Sequence, residues 1–202
     1  MGMDEIEKIF GDFASAELAN AGFVVNAPNV AERTTPGLRQ GFYWSTSGSP
    51  TAPVLAMSSF WSFTHELDDG PPAVMCGEER LSGIYPNGVV ETVLNVETVS
   101  SAFAKIGQKH LLLLDRLSSV PSLLAEAERY PGSARYLLGL NELAFDFNRA
   151  HCLEVVGRKA DAASFYRAHA LRLRGNHNHV ARAYAMAAQR RFDALSIAND
   201  AT

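Results

Sequence analysis

Only two cysteines, Cys76 and Cys152, occur in the 202 residues. They stand far apart in unlike contexts, which argues against a disulfide framework and for two reduced, mostly buried thiols. No run of about eighteen apolar residues is present, so no helix is expected to span a membrane. The opening MGMDEIEKIF is acidic where a secretory leader would be basic and then apolar, and the chain is expected to stay in the cytosol. Also missing are a glycine-rich phosphate loop, a nucleophile elbow and a Glu-flanked pair of helical histidines. These absences argue against an enzyme and lead to the expectation of no cofactor and no metal.

What is present is enough apolar material, 47% of the chain, for one sizeable core. The expectation is a single domain over 1–202, with a helix and a sheet in 1–97 and a helical part in 98–202. Charge is divided between the two halves of the sequence. Residues 1–101 hold 13 acids and 4 bases, or −9, and residues 102–202 hold 9 acids and 14 bases, or +5. Such an asymmetry either draws the two halves together or offers each to a charged partner.

The chain opens with an amphipathic pattern from Asp4 to Ala21, with Ile6, Ile9, Phe10, Phe13 and Leu18 on one side and Asp4, Glu5, Glu7, Asp12 and Glu17 largely on the other. Gly22 ends it. Short runs punctuated by proline and glycine follow and read as strands. Val54 to Phe63 carries large apolar groups at both parities, which places it centrally in a sheet, with Gly41 to Thr46 as its antiparallel neighbour. A second hairpin is expected from Ala73–Leu81 and Val89–Leu94, and a short strand near Phe23 or Val30 brings the sheet to about five strands. From Asn95 the spacing turns helical: one helix to about Leu117, a short one capped by Ser119, a long hairpin from Ser133 to Arg174 that turns at Gly157, and a last helix from about His179 to Ile197. In that hairpin Tyr136, Leu137, Leu140, Leu143, Ala144 and Phe147 share an apolar stripe with Leu153, Val155 and Val156. Strands segregated from helices in this way indicate an α+β fold with an antiparallel sheet and a C-terminal helical bundle.

Candidate chemistry is sparse. For His177 and His179, with His169 upstream, the carboxylates closest in sequence, Asp161 and Asp193, are distant, and a polar loop is the favoured reading over a metal site. His151 beside Cys152 invites a thiol–imidazole pair, but helical neighbours point about 100° apart, so a packed cysteine is favoured. From Arg149 to Arg191 nine bases, eight of them Arg, face only Glu154 and Asp161. That surface either compensates the acidic half or, through Arg158, Arg167, Arg172 and Arg174, binds RNA or an acidic peptide; the first reading is held slightly ahead. The acidic counterpart lies around the sheet, chiefly Glu66, Asp68, Asp69, Glu78 and Glu79, with Glu91 and Glu97 also flanking the second hairpin. Beside Trp44, Trp61 or Phe63 these carboxylates would make a surface for a basic protein, with the aromatics as anchors.

Two resemblances complete the reading. Ala150, Leu153, Gly157, Ala162 and Tyr166 look like the small and aromatic positions of one tetratricopeptide helix pair, with His169 where that repeat has Ala and no second copy after it. More of the chain resembles bacterial immunity proteins of contact-dependent growth inhibition and related polymorphic toxin systems. That likeness runs through Ala21-Gly22-Phe23, Phe42-Tyr43-Trp44, Glu79-Arg80-Leu81, Leu111 to Leu117 and Val120-Pro121-Ser122-Leu123-Leu124. It implies a non-enzymatic cytoplasmic monomer that binds and neutralises one cognate toxin domain, often a nuclease. The family has no shared catalytic residues to carry over. Trp61, Phe63 and the five carboxylates are nominated for the toxin interface on physical grounds alone, and the Arg-rich helical surface is the alternative binding face.

Overall fold

The computed structural model describes residues 2–49, 52–64, 75–80, 95–139 and 141–200, without side chains at 47–49, 52–54, 75–80 and 198–200. The architecture is α+β: an N-terminal helix, an antiparallel sheet and then helices. The chain forms two compact units. The main division falls between Asp115 and Arg116, later than the 97/98 boundary read from charge and periodicity, because the first helix after the sheet belongs with the sheet; residues 36–38 and 62–64 group with the second unit.

The first unit begins with α1 (Met3–Phe13), which widens into a π turn over Ala14–Leu18, tightens over Ala19–Ala21 and closes at Gly22 with φ +83°. Its apolar side, Ile6, Ile9, Phe10, Phe13 and Leu18, is buried. Among the described residues five strands follow in simple spatial sequence: β1 (Val24–Ala27), β2 (Val30–Thr35), β3 (Leu38–Ser49), β4 (Ala52–Phe63) and β5 (Met75–Arg80). β1 and β2 pair antiparallel, Val24 with Glu32 and Val25 with Ala31, before the register shifts at Ala27. The short connections between β1, β2, β3 and β4 leave only antiparallel pairing open to them. Every residue from Leu55 to Phe63 is buried, so β4 is covered on both faces, as its double apolar pattern requires. On one face Phe42 meets Phe23 edge-on at 5.2 Å and lies parallel to the His110 ring at 6.5 Å. On the other, Phe60 lies so close over Gly41 that a Cβ there would come within 2.4 Å of its ring. Val89–Leu94 and the turn expected before it lie outside the described residues.

Helix α2 (Val96–Arg116) starts at Asn95, whose side chain accepts from Thr98 N at 2.9 Å. It packs Phe103 against Phe10 and Phe13, with ring centroids 5.8 and 6.1 Å apart.

From Arg116 onward the second unit is helical. Ser119 caps α3 (Val120–Arg129) by accepting from Ser122 N, with Pro121 in the first turn. A 3₁₀ turn over Pro131–Ser133 leads into α4 (Ala134–Leu138). Here the structure corrects the expected single helix from Ser133. Ser133 makes no cap, and the chain breaks at Gly139, where φ is +144° and a Cβ would press on Ala144 at 2.9 Å. Leu140 lies outside the described residues. Asn141 then starts α5 (Glu142–Val155) by accepting from Ala144 N at 2.8 Å, and Asn148 of α5 donates back to the Leu138 carbonyl at 2.7 Å. The local cap outweighs the continuous apolar period. Val155, placed in the stripe from its spacing, is 49% exposed at the helix end.

Gly157, φ +82°, closes α5 in a Schellman arrangement: its N–H donates to Glu154 O and that of Arg158 to Leu153 O. α6 (Lys159–Leu173) returns along α5, and α7 (His179–Asp200) follows a cap by Asn178, whose side chain accepts from Val180 N and Ala181 N. Phe147 sits where the three helices meet, with Tyr166 at 5.4 Å, Tyr184 at 5.5 Å and His169 at 6.3 Å. Among the described residues no helix is long and apolar enough to cross a membrane.

Candidate functional site

In the first unit the helical period that buries Phe10 and Phe13 turns Asp4, Glu5, Asp12 and Glu17 outward, all exposed, with Glu7 half-buried. Among the described residues none of these five carboxylates has an ion-pair or hydrogen-bond partner, and Lys8 is the one base on the helix. Uncompensated carboxylates on a helix anchored by three packed phenylalanines present a fixed negative surface.

Of the interface nominated from sequence, only Trp61 and Phe63 have described side chains, and neither is displayed at the surface. Trp61 and Phe63 are buried, with 0% and 5% of their surface exposed, and Trp44 is 2% exposed with its indole N–H directed to the Pro28 carbonyl at 3.4 Å. Phe63 meets the His151 ring edge-on at 4.6 Å. These aromatics are core, because a strand covered on both faces has no side on which to display an anchor. Glu66, Asp68 and Asp69 lie outside the described residues. Glu78 and Glu79 stand on β5, of which only the backbone is described.

The arginines of the second unit divide into two sets. Arg158 bridges Glu128 Oε1 at 2.7 Å and Asp161 Oδ2 at 2.9 Å, and the two carboxylates hold its pKa above the ordinary value. Arg172 donates to Asp146 Oδ2 at 2.6 Å and to the Glu142 carbonyl at 3.2 Å, with Glu142 Oε2 at 3.4 Å. Their partners come from α3, α5 and α6 of the same unit rather than from residues 66–97. Arg167 instead stacks over Phe192 at 5.8 Å, and Arg174 is exposed just after α6. Counting charge only within 149–191 missed Glu128, Glu142 and Asp146, which lie before that window but beside it in space.

The groups weighed for chemistry are used in packing. Burial pushes the Cys152 thiol up to about 12, far from a reactive thiolate. His169 lies between Phe147 and Tyr184, and Arg172 donates to its Nδ1 at 3.1 Å. Burial, reinforced by the Arg172 charge and opposed by Asp146, pulls its pKa below the ordinary histidine value. His177 and His179 are exposed, and among the described residues no three His, Cys, Asp or Glu side chains converge as metal ligands. Tyr166 donates to Glu154 Oε2 at 3.0 Å while Arg191 reaches Glu154 Oε1 at 3.5 Å, tying the three helices together.

The second unit also has a pocket of about 210 Å³ between α3, α4 and α5, with Leu124, Ala127 and Leu138 buried at its floor and Glu128 and Arg149 among its walls. No family model, curated protein or solved structure matches this chain.

Proposed function

We propose that the chain is a non-enzymatic immunity protein that binds one cognate toxin domain and neutralises it by covering a positively charged surface, as a nuclease would use to hold nucleic acid. The observation that carries this reading is the outer side of α1 and of the π turn that continues it, where Asp4, Glu5, Asp12 and Glu17 are exposed and free of partners among the described residues. A nuclease must attract phosphate, and carboxylates on a rigid helix meet that surface with fast, charge-steered association. The acidic positions 66–69 and 78–79 extend the same −9 half of the sequence. The α5–α6 pair, with Ala150, Leu153, Ala162 and Tyr166 all buried, serves in this reading as a tetratricopeptide-like scaffold.

The alternative, an Arg-rich surface for RNA, has less behind it. Two of its four nominated arginines, Arg158 and Arg172, are already neutralised within their own unit.

The deciding experiment is co-expression with the C-terminal domain of the secreted protein encoded immediately upstream. A stable complex and loss of that domain's toxicity are the expected results. Failure to bind it, or binding without protection, overturns the assignment.

A further inference from the structure

The pocket of the helical unit carries an inference of its own, independent of the acidic side of α1. Leu124, Ala127 and Leu138 form its floor and the half-buried Phe145 one wall. Its volume of about 210 Å³ holds one leucine- or phenylalanine-sized side chain and falls below the ~300–1,000 Å³ typical of sites that enclose a whole small molecule. A recess of that size, apolar and open on one side, is what an anchor residue of a protein partner fills.

The two charged groups at its edge are not equivalent. Glu128 is committed to Arg158 at 2.7 Å. Arg149 lies over the Phe165 ring at 4.7 Å, and among the described residues it has no carboxylate partner. Stacking covers one face of the guanidinium plane and fixes its orientation, leaving N–H edges for an acceptor. A group held in this way loses little freedom when a carboxylate arrives, so the pair forms at lower entropic cost than one from a free side chain. Tyr130, next to the pocket residue Pro131, is 47% exposed and carries the Arg129 guanidinium over its ring at 5.2 Å, adding an aromatic and cationic margin.

We propose that this pocket is a docking site for a protein segment carrying a large apolar side chain close to an aspartate or glutamate. The apolar group enters between α3 and α5, and the carboxylate pairs with Arg149. One apolar recess with one uncommitted arginine suits such a segment better than a nucleic acid, which calls for a track of cations and successive stacking platforms.

The test is selection of displayed random peptides on the full chain, run in parallel on Arg149→Glu and Ala134→Trp. The unchanged chain is expected to enrich peptides with Phe, Leu, Ile or Trp within two positions of Asp or Glu. Their affinity is expected to fall about tenfold or more in each variant, the loss typical of removing a central interface group. Selection on Arg149→Glu is expected to shift the flanking residue to Lys or Arg. Thermal melting checks that both variants fold; should Arg149→Glu fail, Ala134→Trp alone carries the test, because it fills the recess without touching charge. No enrichment, enrichment without the apolar–acidic pair, or affinity unchanged by a folded variant overturns the proposal. So does Arg149-dependent binding of a single-stranded RNA oligomer in place of peptide.

Discussion

Arg33 and Asp115, 82 residues apart in sequence, are joined by an Nη2–Oδ1 contact of 2.7 Å. The aspartate is 52% exposed and the arginine only 11%. The rest of the guanidinium is used internally: Nε donates to Gln40 Oε1 at 2.9 Å, Nη1 to the Ala21 carbonyl at 3.0 Å, and the plane lies over Phe23 at 4.6 Å. Gln40 in turn donates to the Leu114 carbonyl at 2.8 Å. One side chain therefore ties the end of the first helical segment to the sheet and to α2.

The exposed half of this contact contributes little, since ion pairs in solvent are worth about 0–1 kcal/mol. Asp115→Asn is expected to cost less than about 0.5 kcal/mol by that argument. Arg33→Met removes the hydrogen bonds that Arg33 donates to Gln40 Oε1 and the Ala21 carbonyl and is expected to cost about 2–3 kcal/mol. Urea denaturation of the two variants checks the ranking, and equal losses would show that the surface pair is the dominant contact.

Gly107 is on the buried side of α2, where a Cβ would come within 2.2 Å of the Phe13 ring. Alanine improves helix propensity by about 0.8–1 kcal/mol, but overpacking costs about 1–3 kcal/mol, so the clash is expected to win. Gly107→Ala should lower the melting temperature, and Phe13→Leu in the same chain should recover part of the loss. A stabilised Gly107→Ala would mean that α1 and α2 pack less closely than described.

Much of the fold is legible in local sequence. Ser119 with Pro121, Asn95 with Thr98, and Gly157 act on their immediate neighbours, so their consequences can be read without the fold. The break at Gly139-Asn141 was equally local but was masked by an apolar period that runs on through it. Arg158 shows the limit: its partner Glu128 is 30 residues away on another helix, and no spacing rule connects them. Trp61 shows a different failure. The apolar character of both faces of its strand already implied burial, and that implication conflicts with its use as a surface anchor. The outer side of α1 was visible as a pattern, but that its carboxylates have no ionic partner among the described residues became evident only from the structure. The role of Arg149 is likewise invisible in sequence, because the pocket is made by three separate helical segments.

His169 makes stability depend on pH with a definite sign. Its pKa in the folded chain is lowered, so the folded state holds the neutral ring while the unfolded chain takes up a proton near the ordinary value of about 6.5. The contribution is fully present above that value and is lost as pH falls below it toward the folded pKa. His169→Gln is expected to flatten the fall in melting temperature between neutral and mildly acidic pH, and an unchanged slope would remove His169 as its source.

Cys152 is expected to be a silent thiol. With burial pushing its pKa up to about 12, almost no thiolate is present at pH 8. In a Cys76→Ser background, modification by a disulfide reagent should run at least about 10³-fold slower in the native chain than in urea, reporting opening of the α5 core. Rapid native labelling would show that the helical unit opens locally at low cost.

The acidic side of α1 yields the most discriminating prediction for the proposed function. Asp4, Glu5, Asp12 and Glu17 are exposed, so their simultaneous change to Lys should leave the buried side of the helix unaltered. Asp4 and Glu5 also lie in the first helical turn, where reversal sets lysines against the helix dipole at about 0.3–1 kcal/mol each, a modest loss that melting will register. Steered association responds far more strongly: the on-rate for a basic toxin domain is expected to fall by about 10–100-fold at low ionic strength and by much less in high salt, where the Debye length shrinks to a few Å. Reversing Glu78 and Glu79 separately measures what β5 adds. If the α1 reversal leaves the on-rate and its salt dependence unchanged while the toxin still binds, the interface lies elsewhere on the chain and the charge argument for α1 fails, although neutralisation itself would stand.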